Sequence, residues 1–585
     1  MTRKRENTLH NNLTRRQVLV SAGATTVALG TATVTSARAV EDDAWDHESD
    51  IVVVGSGIGA ATAAVIAREN GDSVTLIEKE AFFGGTSSKT AGVLWIPNNF
   101  TLRKKGIVDK KQDCLRYLAR FSYPEKYTPD SPTLGVSTSA YALLEAFYDN
   151  AAAAIDKLRK IGALNTTEWR MFALDRSTTD YLDNVPENKV PTGRALGVLD
   201  NNGKIGVGSD MMAQMQAAAK ARQVDILYEH RAVRLIRNDC GRAIAVVADN
   251  NGKAVSLRAR KGIIFGTGGY AHSPQAVARY QRNNIYGSCA MPASTGDFIN
   301  IASAAGARLG NLFGAWRSQV VLETALEDSH LAGGVFFPPG DSAFQVNKYG
   351  VRVVNENRNY NDRTEAHGYY DPSKAEYPGQ FLCMIYDQRT AQAYAGVYPL
   401  PEKPTGADEV ISADTLDGLA AQISRRFDKL SPRTGAFALD ASFARNLKAT
   451  VARFNSFARA GKDEDFGRGD AGYDTEWFQA FSPMRTDTNW PPNKYPNITM
   501  HPLRDEGPYY AIILAAGALD TNGGPVIDAS ARVLDTHGKP IPGLYGAGNC
   551  IASPSRDAYW GAGHPLGLSC TFGYISANAA HADNA

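Results

Sequence analysis

The sequence predicts an α/β fold built on a parallel sheet, and three observations carry that prediction. An apolar β-branched run, Ile51–Val54, leads at once into a glycine-rich turn and an Ala-rich helical segment from Ala60 to Asn70. A second apolar run, Val74–Ile77, ends in Glu78, which makes a strand–helix–strand unit with parallel strands. Two further apolar strands with glycine tips lie far downstream, at 262–269 and 543–549, and the three tips are expected to converge at the carboxyl edge of one sheet.

The turn reads Gly55-Ser56-Gly57-Ile58-Gly59-Ala60. Gly55 permits the tight bend, Gly57 lets main chain approach a pyrophosphate, and Gly59 with Ala60 allows close helix–strand packing. The helix that follows offers free N–H groups and a positive dipole end. Glu78 stands 21 residues beyond Gly57, at a strand tip where a carboxylate accepts hydrogen bonds from ribose hydroxyls. A dinucleotide is expected here. Small and hydroxylated residues follow directly, Gly84-Gly85-Thr86-Ser87-Ser88-Lys89-Thr90-Ala91-Gly92, and suggest main chain pressed against a planar ligand, with Thr86 and Ser87 offering donors.

Composition bounds the rest. The 585 residues suffice for two or three domains. Lys plus Arg number 62 against 61 Asp plus Glu, with no basic block beyond the first 16 residues, so nucleic acid is not an expected partner. No apolar run reaches spanning length, so no transmembrane segment is expected in the mature chain. The six cysteines show no CxxC or CxxCH spacing, which removes zinc-ribbon, iron–sulfur and haem c readings. No metal is expected.

Residues 1–39 read as a targeting segment. Arg15-Arg16 opens a twin-arginine pattern, a weakly apolar stretch runs from Val18 to Thr35, and Ala37-Arg38-Ala39 fits a cleavage site. Export in the folded state, to the periplasm or beyond, favours a flavin that travels bound over a nicotinamide replenished from a soluble pool. A helix is expected over 140–163 and another over 211–222, leading into one strand, 226–235. The glycine-tipped strands divide the dinucleotide domain into 48–314 and 495–582 around an inserted domain, 315–494. That insertion carries a hairpin signal, Phe344–Asn347 turning through Lys348–Gly350 into Val351–Val354, and helical patterns at 414–430 and 443–460.

The chain after residue 48 resembles the FAD-dependent fumarate reductase and 3-ketosteroid Δ1-dehydrogenase superfamily, through GSGIGA at 55–60, EK at 78–79, GGTSSKTAG at 84–92, GTGG at 266–269, TGD at 295–297, NE at 355–356 and GLYGAGN at 543–549. The resemblance implies a Rossmann-like FAD-binding domain of the glutathione-reductase type with an inserted α+β catalytic cap domain. It implies FAD contacts at Gly55, Gly57, Ile58, Gly59, Ala60, Glu78 and Lys79. Gly85, Thr86, Ser87, Gly92 and Val233 join them, as do Gly268, Gly269, Asp297, Gly548, Asn549 and Leu566.

Within the superfamily the chain is closer to the ketosteroid branch. The catalytic arginine of the fumarate branch falls on Tyr360, its histidine before T-x-G-G is missing from Leu519-Asp520-Thr521-Asn522-Gly523-Gly524, and its last arginine falls on His564 or Pro565. The tyrosines of the ketosteroid branch match Tyr181, Tyr360 and Tyr559. The resemblance therefore implies desaturation of a hydrophobic cyclic ketone, in first place a 3-ketosteroid. Tyr559 and the Gly563 N–H would hold the carbonyl oxygen, Tyr360 would take the α-proton, and Tyr181 with Arg363 would support its anion. Reduced flavin would pass electrons to a quinone or a carrier protein. A fumarate-type enoate reductase and a flavin electron-transfer protein without turnover are the alternatives. Trp560, where relatives have proline, is expected to reshape the pocket, and His564 to be a loop histidine with its hydrogen bonds satisfied.

Overall fold

The computed structural model describes residues 45–171, 174–331 and 337–583. The targeting segment expected at 1–39 lies outside the described residues. The first strand, His47–Val54, is buried through Ile51–Val54, as its unbroken apolar run requires of a strand covered on both faces. It pairs in parallel with Val74–Ile77 on one side and with Lys253–Phe265 on the other; Pro540–Gly546 adds in parallel beyond the latter, and Asp225–Leu227 beyond the former. The register aligns Val54 with Ile77 and with Phe265, and Phe265 with Gly546. The glycine tips therefore end level, side by side. Arg231–Arg237, Ala243–Asn250 and Arg532–Leu534 complete the eight-stranded sheet in antiparallel pairings.

The Ala-rich helix Ile58–Glu69 is buried from Ile58 through Ala67, sandwiched between the sheet and the C-terminal helix His564–Ala582. Small residues make that contact possible. A Cβ on Gly573 would lie 2.2 Å from the Gly59 carbonyl oxygen, so the two helices meet backbone to backbone.

A second, five-stranded antiparallel sheet contains Ala315–Val321, Ala343–Val346, Phe381–Asp387, Ile411–Ala413 and Tyr509–Thr521. The last strand lies past residue 494, so the second sheet takes in chain from beyond the expected insertion. Alternation divides this sheet cleanly. Ala511, Ile513 and Ala515 face the helices Leu416–Thr434 and Phe443–Ala460, whereas Tyr510, Ile512 and Leu514 face an aromatic cluster with Tyr181, Tyr360, Trp477 and Tyr559. One face makes a core and the other backs the site.

The helices expected from periodicity are present as Thr138–Lys160, Gly208–Ala221, Leu416–Thr434 and Phe443–Ala460. One strand expectation is corrected and another is cut short. The segment 226–235 is broken after Leu227, where Glu229 adopts φ +60° and the chain changes partner from Val74–Ile77 to Ala243–Asn250. The hairpin at 344–354 is present in shortened form: Gly350 N donates to Asn347 O, Asn347 N donates to Val351 O, and Val346 bridges antiparallel to Arg352, while Ala343–Val346 also pairs on its other edge with Phe381–Asp387. The return arm ends after that single bridge, and the Arg352 guanidinium is held in buried ion pairs with Glu356 at 2.8 Å and Asp463 at 2.9 Å.

Candidate active site

At the level tips of the parallel strands the backbone is shaped for a ligand. Gly55 has φ +100°, and a Cβ there would sit 2.6 Å from the Gly266 carbonyl oxygen, so no other residue fits. A Cβ on Gly57 would meet only the Ser87 hydroxyl at 3.4 Å, so its outer face is open. Ser87 Oγ accepts the Ile58 N–H at 3.1 Å, and Thr86 Oγ1 accepts the Met291 N–H at 3.0 Å, which fixes the hydroxylated loop over the turn. Glu78 is held at its strand tip by the Ser56 hydroxyl, donating at 2.6 Å, and by Glu80 N at 3.0 Å; burial pushes its carboxyl above the usual range. Lys79 donates to Asp297 at 3.0 Å, and Arg231 donates to the same carboxylate at 2.6 Å. Burial pushes Asp297 up, but Arg231 and Lys79 outweigh it and hold the carboxyl low.

These groups line one cavity of about 370 Å³. Gly55, Gly57, Ile58, Gly59, Glu78 and Lys79 form its first wall; Gly85, Thr86, Ser87, Gly268 and Asp297 form a second, with Gly548, Asn549 and Leu566 opposite. Four expected contacts stand behind the wall instead. Ala60 packs under Gly266, whose Cβ would lie 2.8 Å from that of Ala60. Gly92 makes a left-handed turn against Val207, and the Gly269 N–H is spent on Asp520 at 3.0 Å. The Val233 side chain is 48% exposed, and the neighbouring Ala232 lines the cavity in its place, because successive side chains of a strand point to opposite faces.

The far end of the same cavity is aromatic. Tyr181 follows Asp180, which is pinned by the buried Arg194 at 2.5 Å and by Trp95 Nε1 at 2.7 Å, and its own N–H donates to Trp560 O at 3.2 Å. That backbone bond stacks Tyr181 on Tyr559, ring centroids 5.1 Å apart. Tyr360 opens a short helix, Tyr360–Thr364, capped by Asn359 and tied through Asn361 Nδ2 to Asp557 O at 2.9 Å. Its ring stands edge-on to both other tyrosines, at 5.6 and 5.4 Å, and the Tyr181 hydroxyl donates to the Tyr360 hydroxyl at 2.9 Å. All three rings are at most 5% exposed. Burial, and after it the neighbouring Tyr181, push the Tyr360 hydroxyl well above the ordinary tyrosine range, while Tyr559 and Arg363 pull it down. Gly563, with φ +83°, completes this end; a Cβ would lie 2.3 Å from Val93 O. The structure thus brings Tyr181, Tyr360, Tyr559 and Gly563 onto one wall.

Sequence reasoning missed Trp169, Trp316, Trp477 and Phe481, which shape the aromatic end, and Asp520 and Lys89, which also line the cavity. Trp477 and Phe481 share the helix Gly472–Phe481, a segment that carries none of the motifs quoted above. Two other expectations change. Trp560 is turned away from the cavity into the core, donating to Ser122 Oγ at 2.9 Å. His564 is wholly buried between Trp560, Trp316 and Tyr559, and neither ring nitrogen has a hydrogen-bond partner among the described residues; burial holds the imidazole neutral. Among the described residues no arginine lines the cavity, and no group of three or more metal-ligating side chains occurs. No helix among them is long and apolar enough to cross a membrane.

The family model described as FAD binding domain matches residues 50–566. The chain belongs to the FAD binding domain family. Across 560 residues it is 30% identical to 4-oxocyclohexanecarboxylate 2-dehydrogenase of Sinomonas cyclohexanicum, covering 90% of this chain and 92% of the relative. It is 26% identical to 3-oxosteroid 1-dehydrogenase of Mycolicibacterium smegmatis, covering 91% and 97%. The solved 3-ketosteroid Δ1-dehydrogenase of Sterolibacterium denitrificans, in complex with 1,4-androstadiene-3,17-dione, superposes with a TM-score of 0.74 at 26% identity, over 92% of this chain and 100% of that one. With these relatives beside the family match, the protein is an FAD-dependent oxidoreductase acting on CH–CH groups. The open face of Gly57, the buried Glu78 at its strand tip and the hydroxylated loop 86–87 fit the pyrophosphate and ribose of FAD.

Proposed function

We propose that this enzyme removes two hydrogens from adjacent carbons of a cyclic ketone, beside its carbonyl. The observation that carries this reading is the meeting of Tyr181, Tyr360 and Tyr559 with Gly563 at the aromatic end of the FAD cavity. Tyr559 and the Gly563 N–H hold and polarise the carbonyl oxygen, which acidifies the α-carbon. Losing one such donor typically costs about 10²–10³-fold in rate. Tyr360 receives the α-proton, and the Tyr181 hydroxyl, donating to it, stabilises the phenolate that acts as base. When bound, FAD supplies a two-electron acceptor for the β-hydrogen as hydride. Trp169, Trp316, Trp477 and Phe481 exclude water and fit an apolar ring body.

The 3-ketosteroid expected from sequence is one form of this substrate, and a single functionalised ring is the other. A dicarboxylate substrate of the fumarate type is not favoured, because the cavity wall offers no arginine among the described residues. On the same reading the twin-arginine segment exports the loaded enzyme, and a quinone or carrier protein takes its electrons.

Anaerobic titration of the purified flavoprotein with a ring ketone, 4-androstene-3,17-dione or 4-oxocyclohexanecarboxylate, tests the proposal. The flavin absorbance bleaches in the wild type and not in Tyr360→Phe. Bleaching that survives Tyr360→Phe, or reduced enzyme reoxidised by fumarate but never reduced by a ring ketone, overturns it.

A further inference from the structure

Lys89 ends the short helix Gly85–Lys89, and its side chain lines the cavity. Its ammonium donates to His330 Nε2 at 2.9 Å and to Leu331 O at 3.3 Å. Both partners are uncharged: burial and the ammonium itself pull the His330 imidazole down, so the ring accepts as a neutral base. No carboxylate among the described residues comes within 4.0 Å of the Lys89 ammonium, although Asp328 acts on it from farther away. The other lysine on the wall, Lys79, is tied to Asp297 at 3.0 Å. An ammonium has three donors, and two of those of Lys89 are spent. The third finds no partner among the described residues, and Lys89 lines the cavity.

A cation partly withdrawn from water and matched only by neutral dipoles is incompletely compensated, and an anion in the cavity completes it. The FAD pyrophosphate belongs at the Gly55–Gly57 turn and the start of the helix Ile58–Glu69. Lys89 is tied instead to His330 and Leu331. His330 and Leu331 lie beside Ser288, which bridges to Ala518, and Cys289 N donates to Ala518 O at 3.0 Å; this is the strand that delivers Leu519 to the cavity. Leu331 itself packs in the apolar core of the second sheet.

We propose that Lys89 binds a carboxylate carried on the substrate ring, so that the substrate is a cyclic keto acid with a single negative charge. One unmatched cation and a wall without arginine fit one carboxylate and not two. His330 and the Leu331 carbonyl are positioning groups that hold the ammonium extended toward the ring. The proposal rests on the ring-ketone reading above and narrows it.

The test uses the purified FAD-loaded protein and two ligand pairs. Binding of cyclohexanecarboxylate, which has no ketone and cannot react, is read from the perturbation of flavin absorbance, against its methyl ester. Anaerobic flavin reduction is then compared for 4-oxocyclohexanecarboxylate and its methyl ester. The wild type is expected to prefer each acid over its ester by about tenfold or more, as a charge-assisted hydrogen bond supplies. Lys89→Met is expected to lose that preference while keeping its FAD content and its reduction by the ester. Equal response of the wild type to acid and ester overturns the anchor but leaves the ring-ketone reading standing. Loss of FAD from Lys89→Met also overturns it, assigning the ammonium to the pyrophosphate. Failure of every ring ketone to bleach the wild type overturns the earlier reading instead.

Discussion

At the residue scale the tyrosine pair makes a definite demand on pH. On the proposed mechanism Tyr360 must lose its proton to act, and burial holds its hydroxyl well above the ordinary tyrosine range. Below its pKa the active fraction grows tenfold per pH unit. The rate of flavin reduction by the ring ketone is therefore expected to climb with a log–log slope of about +1 from neutral into alkaline pH. A stopped-flow profile checks this, and a flat profile would remove Tyr360 as the base. Asp520 makes a different demand. It is 2% exposed, accepts from Gly269 N, Thr521 N and Asn549 Nδ2, and burial pushes its carboxyl from 3.8 to about 6 against those hydrogen bonds. Because its folded pKa is the higher one, its contribution to stability is complete below 3.8 and is lost as pH rises through 6. The loss amounts to about 3 kcal/mol. In the flavin-free chain the melting temperature of Asp520→Asn minus that of the wild type should grow between pH 4 and 7 and then level off. A difference independent of pH would count against a buried, titrating Asp520.

At the scale of elements, the contact between the helices Ile58–Glu69 and His564–Ala582 carries the next prediction. One helix starts at the pyrophosphate turn and the other at Gly563, so their spacing sets both ends of the site. A Cβ at position 573 would stand 2.2 Å from the Gly59 carbonyl oxygen. Gly573→Ala is expected to cost about 1–3 kcal/mol of stability and to lower FAD content, read from the ratio of flavin to protein absorbance. Full FAD content with unchanged melting would show that the helices can separate freely.

This contact also marks how far the sequence was legible. The βαβ unit and the glycine-tipped strands were readable because each is a local signal, a β-branched run closed by glycine. The three tyrosines were readable through motif resemblance. Trp169, Trp316 and Trp477 were not, since three separate segments bring them together and none has a local reason to differ from core. The turn of the 344–354 hairpin was legible, but alternation cannot show that its return arm stops after the single bridge of Arg352 to Val346. Lys89 stood in plain view within the hydroxylated loop, but its want of a carboxylate partner is a fact of tertiary structure alone.

For the whole molecule, FAD is a structural component as well as a reactant. Any ligand that binds only the folded chain adds stability by mass action, about 2.7 kcal/mol at a hundredfold excess over Kd. Stripping the flavin should lower the melting temperature, and returning FAD should restore it in proportion to the logarithm of its concentration. Restoration by FMN or ADP alone to the same level would show that only half of the cavity is engaged.

The strand Tyr509–Thr521 has a mechanical meaning of its own. Its early residues are laced into the second sheet from both sides, through Ile411–Ala413 and Phe381–Asp387, while its last residues carry Asp520 onto Gly269 and Asn549 beside the parallel sheet. It works as a rivet driven through the seam between the two sheets. Swinging one sheet away from the other would have to buckle this strand or tear Asp520 from its donors. A substrate is therefore expected to meet a jaw with a stiff hinge, its admission falling to the loops and side chains at the rim.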